Sequence, residues 1–161
     1  MDSKRKRSGT KTAPRKQGLS STKSSHTLYW IACIVFLLDR ISKTLVVWNV
    51  TSPIDLGLFS IIYSTNTGVT WGLLKGYPLI PIIVSFIVIG AIVYYQKTLS
   101  HVHKIIAGLV LGAALGNLLD RLLYGAVIDW IDFGWWPVFN VADSAIVIAM
   151  IWIVWDSFSE K

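Results

Sequence analysis

Four long apolar stretches constrain this chain more than any other feature of its sequence. A helix needs about 20 residues to cross a hydrocarbon core of about 30 Å. We predict such spans at residues 28–48, 77–96, 104–124 and 138–156. Only 15% of the residues are charged, whereas soluble domains contain about 25%. The sequence therefore predicts an all-α membrane protein with four transmembrane helices.

The positive charge of the chain is concentrated at its start. Residues 1–27 contain eight lysines and arginines against one acid, whereas the rest of the chain is close to neutral. This segment is rich in serine and poor in apolar residues, so we predict a disordered tail before a single domain at residues 28–161. Segments rich in Lys and Arg stay on the cytoplasmic side of a membrane. The net charge of +6 therefore indicates topology, and we expect no nucleic-acid partner.

The charge pattern also orients the spans. The link between the second and third spans carries Lys97 and Lys104 and no acid, so we expect it on the side of the tail. Both termini are then cytoplasmic, and segments 49–76 and 125–137 face the other side. β-branched and aromatic residues at 56–65 predict short strands, and hence a small extracytoplasmic β-sheet. For the second outer segment we expect a short loop or helix.

Polar and ionisable residues fall in the predicted spans, in the half away from the tail. A charge at the centre of a span costs at least about 2.5–3.5 kcal/mol, so it must face protein or water and usually has a function. Asp39 and Lys43 share a helical face by their i, i+4 spacing and can pair. Asp120 and Arg121 can likewise be a structural ion pair, and Asn140 can cap the fourth span.

Asp129 and Asp143 differ from these residues, because neither has a basic neighbour in sequence and both fall at helix ends on the same surface. The short link between the third and fourth spans predicts antiparallel neighbours, so the two carboxylates can converge. Two close carboxylates share a proton, because like charges raise one pKa. One can then act as general base on a water and the other as general acid on a carbonyl, as in aspartic peptidases. Asp132 is interpreted as a solvated surface acid.

Other functions stay open at this point. A serine peptidase could pair Lys43 with Ser60 or Ser64, since adjacent Ser42 points about 100° away on a helix. A zinc peptidase is disfavoured because no His-Glu-x-x-His motif occurs, and we expect no metal or other cofactor. A small transporter or proton-coupled channel could use Asp39, Asp120 and Arg121 as relay groups. It would need polar residues through the full depth of the membrane.

Five short motifs occur in order: Asp39-Arg-Ile-Ser-Lys43, Asn66-Thr-Gly-Val-Thr-Trp-Gly72, Gly116-Asn-Leu-Leu-Asp-Arg121, Val127-Ile-Asp129 and Phe139-Asn-Val-Ala-Asp143. Together they resemble the motifs of the lipoprotein signal peptidases, the type II bacterial signal peptidases. The resemblance implies an aspartic endopeptidase that removes signal peptides from diacylglyceryl-modified prolipoproteins, cleaving before the lipidated cysteine. It also implies a bacterial inner-membrane protein with its site at the outer face, in contact with lipid. We expect it to act as a monomer.

The resemblance also implies roles for individual residues. It makes Asp129 and Asp143 the catalytic pair. Eight further residues would shape the site or hold substrate: Asp39, Lys43, Asn66, Gly68, Asn117, Asp120, Arg121 and Asn140. Segment 49–65 would correspond to the family's small sheet, which holds the substrate. Only thirteen residues separate the two aspartates, which shortens the loop thought to close over the substrate.

Overall fold

The computed structural model describes residues 21–68 and 77–159. The predicted tail, residues 1–27, therefore lies largely outside the described residues. The third helix is central, since it packs against each of the other three. In chain order the elements are α1 (Ser21–Asn49), β1 (Ile54–Asp55), β2 (Ser60–Asn66), α2 (Leu79–Tyr95), α3 (His101–Tyr124), β3 (Val127–Asp132) and α4 (Val141–Ser159).

Two of these helices, α3 and α4, are long and apolar enough to cross a membrane. Helix α2 is apolar but has only 17 residues, and α1, with 29 residues, carries several charged side chains. Helix α1 begins at Ser21, inside the segment predicted to be a tail. Helix α4 begins at Val141, after the predicted start at residue 138, because Phe139 pairs with β3 instead. Four membrane crossings remain a prediction.

A three-stranded antiparallel sheet of order β1-β2-β3 follows the C-terminal ends of α1 and α3. The small sheet was predicted, but its third strand was not. Within the second outer segment, Val127–Asp132 form β3, which pairs with β2 so that Ser64 lies opposite Asp129, and a loop follows the strand. Gly125 allows the reversal, because it caps α3 in the left-handed conformation (φ 71°).

Glycines bring α3 unusually close to α1. An added Cβ at Gly108 would lie 2.7 Å from the Leu28 carbonyl oxygen, and one at Gly112 would lie 2.5 Å from that of Ala32. Such distances are too short for a side chain, so backbone packs on backbone along this interface. The opposite, outward faces of the helices expose large apolar side chains, among them Trp30, Ile87, Ile151 and Trp155. Exposed apolar area of this extent is typical of contact with lipid.

Candidate active site

The two aspartates predicted to be catalytic come from different elements and reach one cavity. Asp129 is the third residue of β3, and Asp143 lies in the first turn of α4. Both line a cavity of about 570 Å³. Four of the eight predicted supporting residues line the same cavity: Asn66, Gly68, Asn117 and Arg121.

Asn140 links the two aspartates to each other. Its side-chain amide donates to Asp129 Oδ1 at 2.7 Å, and its backbone N–H donates to Asp143 Oδ2 at 3.2 Å. In return, Asn140 Oδ1 accepts the backbone N–H of Asp143 at 2.9 Å. Asn140 thus caps α4, as predicted, in a reciprocal capping box. Because Asn140 is fully buried, this cap fixes the two carboxylates relative to one another.

Two further asparagines each bind one of the carboxylates. Asn117 Nδ2 donates to Asp143 Oδ1 at 3.0 Å, and the Asn66 side chain hydrogen-bonds Asp129. Asn66 is oriented by its own turn, in which its Oδ1 accepts the Gly68 N–H at 3.0 Å. Amide groups donate to a carboxylate without adding charge. The asparagines therefore hold both aspartates while leaving the charge of the pair unchanged.

The electrostatic environment of Asp129 fits a pair that shares a proton. Burial, together with the nearby carboxylate of Asp143, raises the pKa of Asp129 from 3.8 to about 7. The hydrogen bonds from Asn140 and Asn66 act in the opposite direction, and they do not cancel the increase. Two interacting acids titrate as a unit. The pair can therefore retain one proton up to neutral pH.

Beside the cavity lies a buried cluster of charged residues. Lys43 Nζ is 2.8 Å from Asp39 Oδ2 and 2.8 Å from Asp120 Oδ2, and it donates to Asn117 Oδ1 at 2.9 Å. The predicted Asp39–Lys43 pair is confirmed. The alternative of an Asp120–Arg121 pair was wrong, because Asp120 turns toward α1 and pairs with Lys43 and Arg40.

Arg121 instead lies in the wall of the cavity. Its guanidinium donates to the carbonyl oxygens of Asn117 at 3.3 Å and Gly68 at 3.2 Å, which ties α3 to the end of β2. Its Nε is buried and has no hydrogen-bond partner among the residues that the structure describes. Arginine has five N–H donors and accepts no hydrogen bonds. Arg121 therefore braces the wall of the cavity that its side chain lines.

Sequence reasoning missed an aromatic cluster at the cavity. The ring of Phe133 lies 5.8 Å from Phe59, 5.9 Å from Phe139 and 6.2 Å from Trp135, measured between centroids. The Phe139 backbone also pairs with Ile131 and so closes the short link between the aspartates into a turn. The density of aromatic residues after Asp129 is the signal that could have suggested this cluster.

Asp132 stabilises this turn, since its Oδ1 accepts the Gly134 N–H at 2.7 Å. It is partly exposed and does not line the cavity. The interpretation of Asp132 as a surface acid therefore agrees with its position at the rim of the sheet.

The serine-peptidase alternative finds no support in this geometry. Lys43 is held by two carboxylates and an amide, and Ser42 Oγ donates to the Asp39 carbonyl oxygen at 3.0 Å. Neither Ser60 nor Ser64 is among the described residues that line the cavity. The transporter alternative needs polar side chains along the whole bundle. The packed cluster at the other end of α1 and α3 is instead apolar, formed by Leu28, Ala32, Ala107 and Leu111.

Comparison with known proteins gives a consistent result. Residues 31–159 match the family described as signal peptidase (SPase) II. A lipoprotein signal peptidase of Halothermothrix orenii is 40% identical over 127 residues, which cover 75% of this chain and 88% of the relative. One of Syntrophomonas wolfei is 46% identical over 121 residues, covering 71% and 80%.

Two solved structures, both described as a bacterial membrane enzyme, are also similar to this chain. The first superposes with a TM-score of 0.77 at 28% identity and covers 84% of this chain and 89% of its own. The second has a TM-score of 0.76 at 27% identity and covers 84% of this chain and 95% of its own. The likeness therefore extends over nearly the whole of each known chain.

Proposed function

This chain belongs to the signal peptidase II family of proteases, and on that premise we propose that it removes the signal peptide from lipid-modified prolipoproteins. Cleavage would fall before the lipidated cysteine. The relatives named above are lipoprotein signal peptidases. The single observation that carries the proposal is the convergence of Asp129 and Asp143 on Asn140 at one cavity.

The proposed reaction is hydrolysis by the shared-proton pair. The ionised carboxylate takes a proton from a water, whose oxygen attacks the carbonyl carbon of the scissile peptide bond. The protonated carboxyl donates its proton to the carbonyl oxygen, which gives a neutral tetrahedral diol. Collapse of the diol breaks the C–N bond, and the leaving nitrogen receives the proton that came from the water. One hydroxyl of the diol becomes the carbonyl oxygen of the product, and its proton returns to the aspartate pair.

The walls of the cavity support an apolar substrate with a peptide backbone. Phe133, Trp135 and Ile148 offer apolar contact for a signal-peptide side chain or an acyl chain. The guanidinium of Arg121, which lines the cavity, can donate to a substrate carbonyl oxygen. Apolar walls with a few polar groups are typical of ligand-binding pockets.

We place the enzyme in a bacterial inner membrane, with four crossings, cytoplasmic termini and the cavity at the outer face. The basic residues of the tail and of the link at 97–104 support this orientation. At the end of the bundle remote from the cavity, His103 Nε2 at the start of α3 lies 3.6 Å from Asp156 Oδ2 near the end of α4. We also propose that it acts as a monomer whose outward faces, which expose large apolar side chains, contact lipid.

The test is to replace each aspartate with asparagine and to measure cleavage of a lipidated prolipoprotein. Asp129→Asn and Asp143→Asn should each lower kcat by about 10³-fold or more, since loss of one member of a catalytic unit has effects of that size. Asp132→Asn is the matched control on the same turn and should keep its activity. Full activity in either dyad variant would contradict the mechanism, and a wild-type protein that leaves the substrate intact would contradict the function.

A further inference from the structure

Two acids outside the catalytic pair bind the backbone immediately before it. Asp120 Oδ2 accepts the N–H of Ile128 at 3.2 Å, and Ile128 precedes Asp129. Asp39 Oδ1 accepts the N–H of Ala142 at 3.1 Å, and Ala142 precedes Asp143. Both acid side chains are fully buried. The two contacts therefore occupy the same position relative to the two catalytic residues.

Two cations pair with these acids, and one of them, Lys43, connects the two. Lys43 Nζ lies 2.8 Å from a carboxylate oxygen of each acid, and Arg40 pairs with the other oxygen of Asp120. The cluster holds two negative and two positive groups, so it is neutral as a whole. A buried carboxylate without a compensating charge would be strongly unfavourable. The cations thus compensate the two carboxylates inside the protein, where each accepts a backbone N–H.

Space for one of the acids is created by the sequence of α3. A Cβ added at Gly116 would lie 2.5 Å from Asp39 Oδ2. Gly116 therefore admits the carboxylate that reaches Ala142. The contact is built into the interface between α1 and α3 and does not arise from a surface side chain that happens to lie nearby.

We propose that Asp39 and Asp120 are matched positioning residues for the catalytic pair, and that Arg40 and Lys43 keep them in place. Each acid fixes the backbone of the element that carries one catalytic aspartate, β3 for Asp129 and α4 for Asp143. These elements need such anchors because the reacting carboxylates must stay aligned, and a shift of 1 Å can cost about 100-fold in rate. The inference rests on the proposed function, since it concerns the same reaction.

A positioning role and a purely structural role predict different measurements. A structural role lowers the amount of folded protein and leaves the kinetics of the folded fraction unchanged. A positioning role lowers kcat of the folded protein while KM stays constant, because only the reacting geometry is disturbed. The split between kcat and KM therefore separates the two roles.

The decisive comparison is between Asp120→Asn and Asp120→Ala, both in an Arg40→Gln background. The two double variants carry the same charge, but only asparagine keeps an oxygen that can accept the Ile128 N–H. With full-length protein in detergent micelles and a lipidated prolipoprotein, we expect kcat of the alanine variant to be lower by about 100-fold, with KM within about twofold. Asp156→Asn, at the other end of the bundle, is the control and should keep wild-type kcat.

Equal kcat values for the two double variants would overturn the proposal. If either variant shows no cooperative thermal transition, Arg40→Gln alone decides, because Arg40 is 17% exposed and its loss is less disruptive. Arg40→Gln should then lower kcat by about tenfold, a partial effect since water reaches this partly exposed side chain, and Arg40→Lys should restore it. Wild-type kcat in Arg40→Gln would overturn the proposal. A wild-type protein without cleavage activity would instead refute the proposed function.

Discussion

The same two helices, α1 and α3, pack in different ways at the two ends of their interface. At the end remote from the cavity, Gly108 and Gly112 lie against the carbonyl oxygens of Leu28 and Ala32. At the site end, Lys43 lies between the carboxylates of Asp39 and Asp120. Close backbone packing of this kind stabilises the interface through dispersion. Buried ion pairs add little net stability because their desolvation is costly.

The difference indicates what each end contributes. The remote end holds the helices together, whereas the site end directs carboxylate oxygens at the backbone that carries the catalytic pair. Gly116 lies between the two ends of the interface. Its missing side chain makes room for the Asp39 carboxylate, whereas Gly108 and Gly112 make room for the backbone of α1. The remote end thus contributes net stability and the site end contributes positioning, although removing one of the buried charges is costly because the others are left uncompensated.

The largest effect on stability is expected from Lys43→Met at the site end. Removal of the cation leaves the Asp39 and Asp120 carboxylates buried with only Arg40 to compensate them. Breaking a buried ion pair in this way costs about 3–5 kcal/mol of unfolding free energy. Denaturant unfolding in micelles measures the loss, and Lys97→Met, at an exposed position, is the matched control. A loss for Lys43→Met no greater than that of the control would show that the charge cluster is not an essential part of the interface.

A matched pair of glycine substitutions should separate the two ends. A Cβ at Gly112 would lie 2.5 Å from the Ala32 carbonyl oxygen and 2.8 Å from Val35 Cβ, so the helices must move apart. We expect Gly112→Ala to cost about 1–3 kcal/mol of unfolding free energy, as overpacking does. The kcat of the folded protein should be retained.

Gly116→Ala should have the opposite profile. Its Cβ would meet the end of the Asp39 side chain, which can turn aside and release the Ala142 N–H. We expect a smaller loss of stability than for Gly112→Ala and a decrease in kcat of about tenfold or more. Thermal denaturation and kinetics on the same preparations measure both quantities. Identical profiles for the two variants would show that the interface is not divided as described.

The sequence predicted the parts of this arrangement that depend on local spacing. Asp39 and Lys43 are i, i+4 neighbours, and they pair. Asn140 has the residue type and position of an N-cap, and it caps α4. Asp129 and Asp143 reach one cavity, although the preference for Asp129 over other acids depended on the family resemblance.

The remaining features could not be predicted, because they depend on contacts between distant segments. Arg40 pairs with Asp120, which is 80 positions away in sequence. No local pattern around Arg40 indicates that it has this partner. Strand β3 needs β2 as a partner, so Val127-Ile-Asp-Trp-Ile-Asp132 alone did not distinguish a strand from a loop. The alternative of an Asp120–Arg121 pair was wrong for a local reason, since adjacent helical residues point about 100° apart.

The smallest effect on activity is expected from pH, and it should be confined to the site end. Asp129 has a pKa raised to about 7 by burial and by the Asp143 carboxylate. Between pH 7 and pH 8 its protonated fraction falls from about one half to about one tenth, so kcat should fall about fivefold as the pair loses its shared proton. Gly112→Ala should show the same profile as the wild type. A rate that is constant over this interval would contradict a shared proton.

The same titration has a signature in stability, and its sign follows from the direction of the pKa shift. Asp129 has a pKa of 3.8 when unperturbed and about 7 in the folded protein. Between these values the folded state keeps a proton that the unfolded state has released, so stability decreases as pH rises from about 4 to about 7 and then levels off. Asp129→Asn should remove this decrease. Gly112→Ala should keep it, with an unfolding free energy that is lower than that of the wild type by the same amount at each pH. Unfolding free energies measured at pH 5 and pH 8 test both statements, because a dependence that persists in Asp129→Asn would assign the titration to another group.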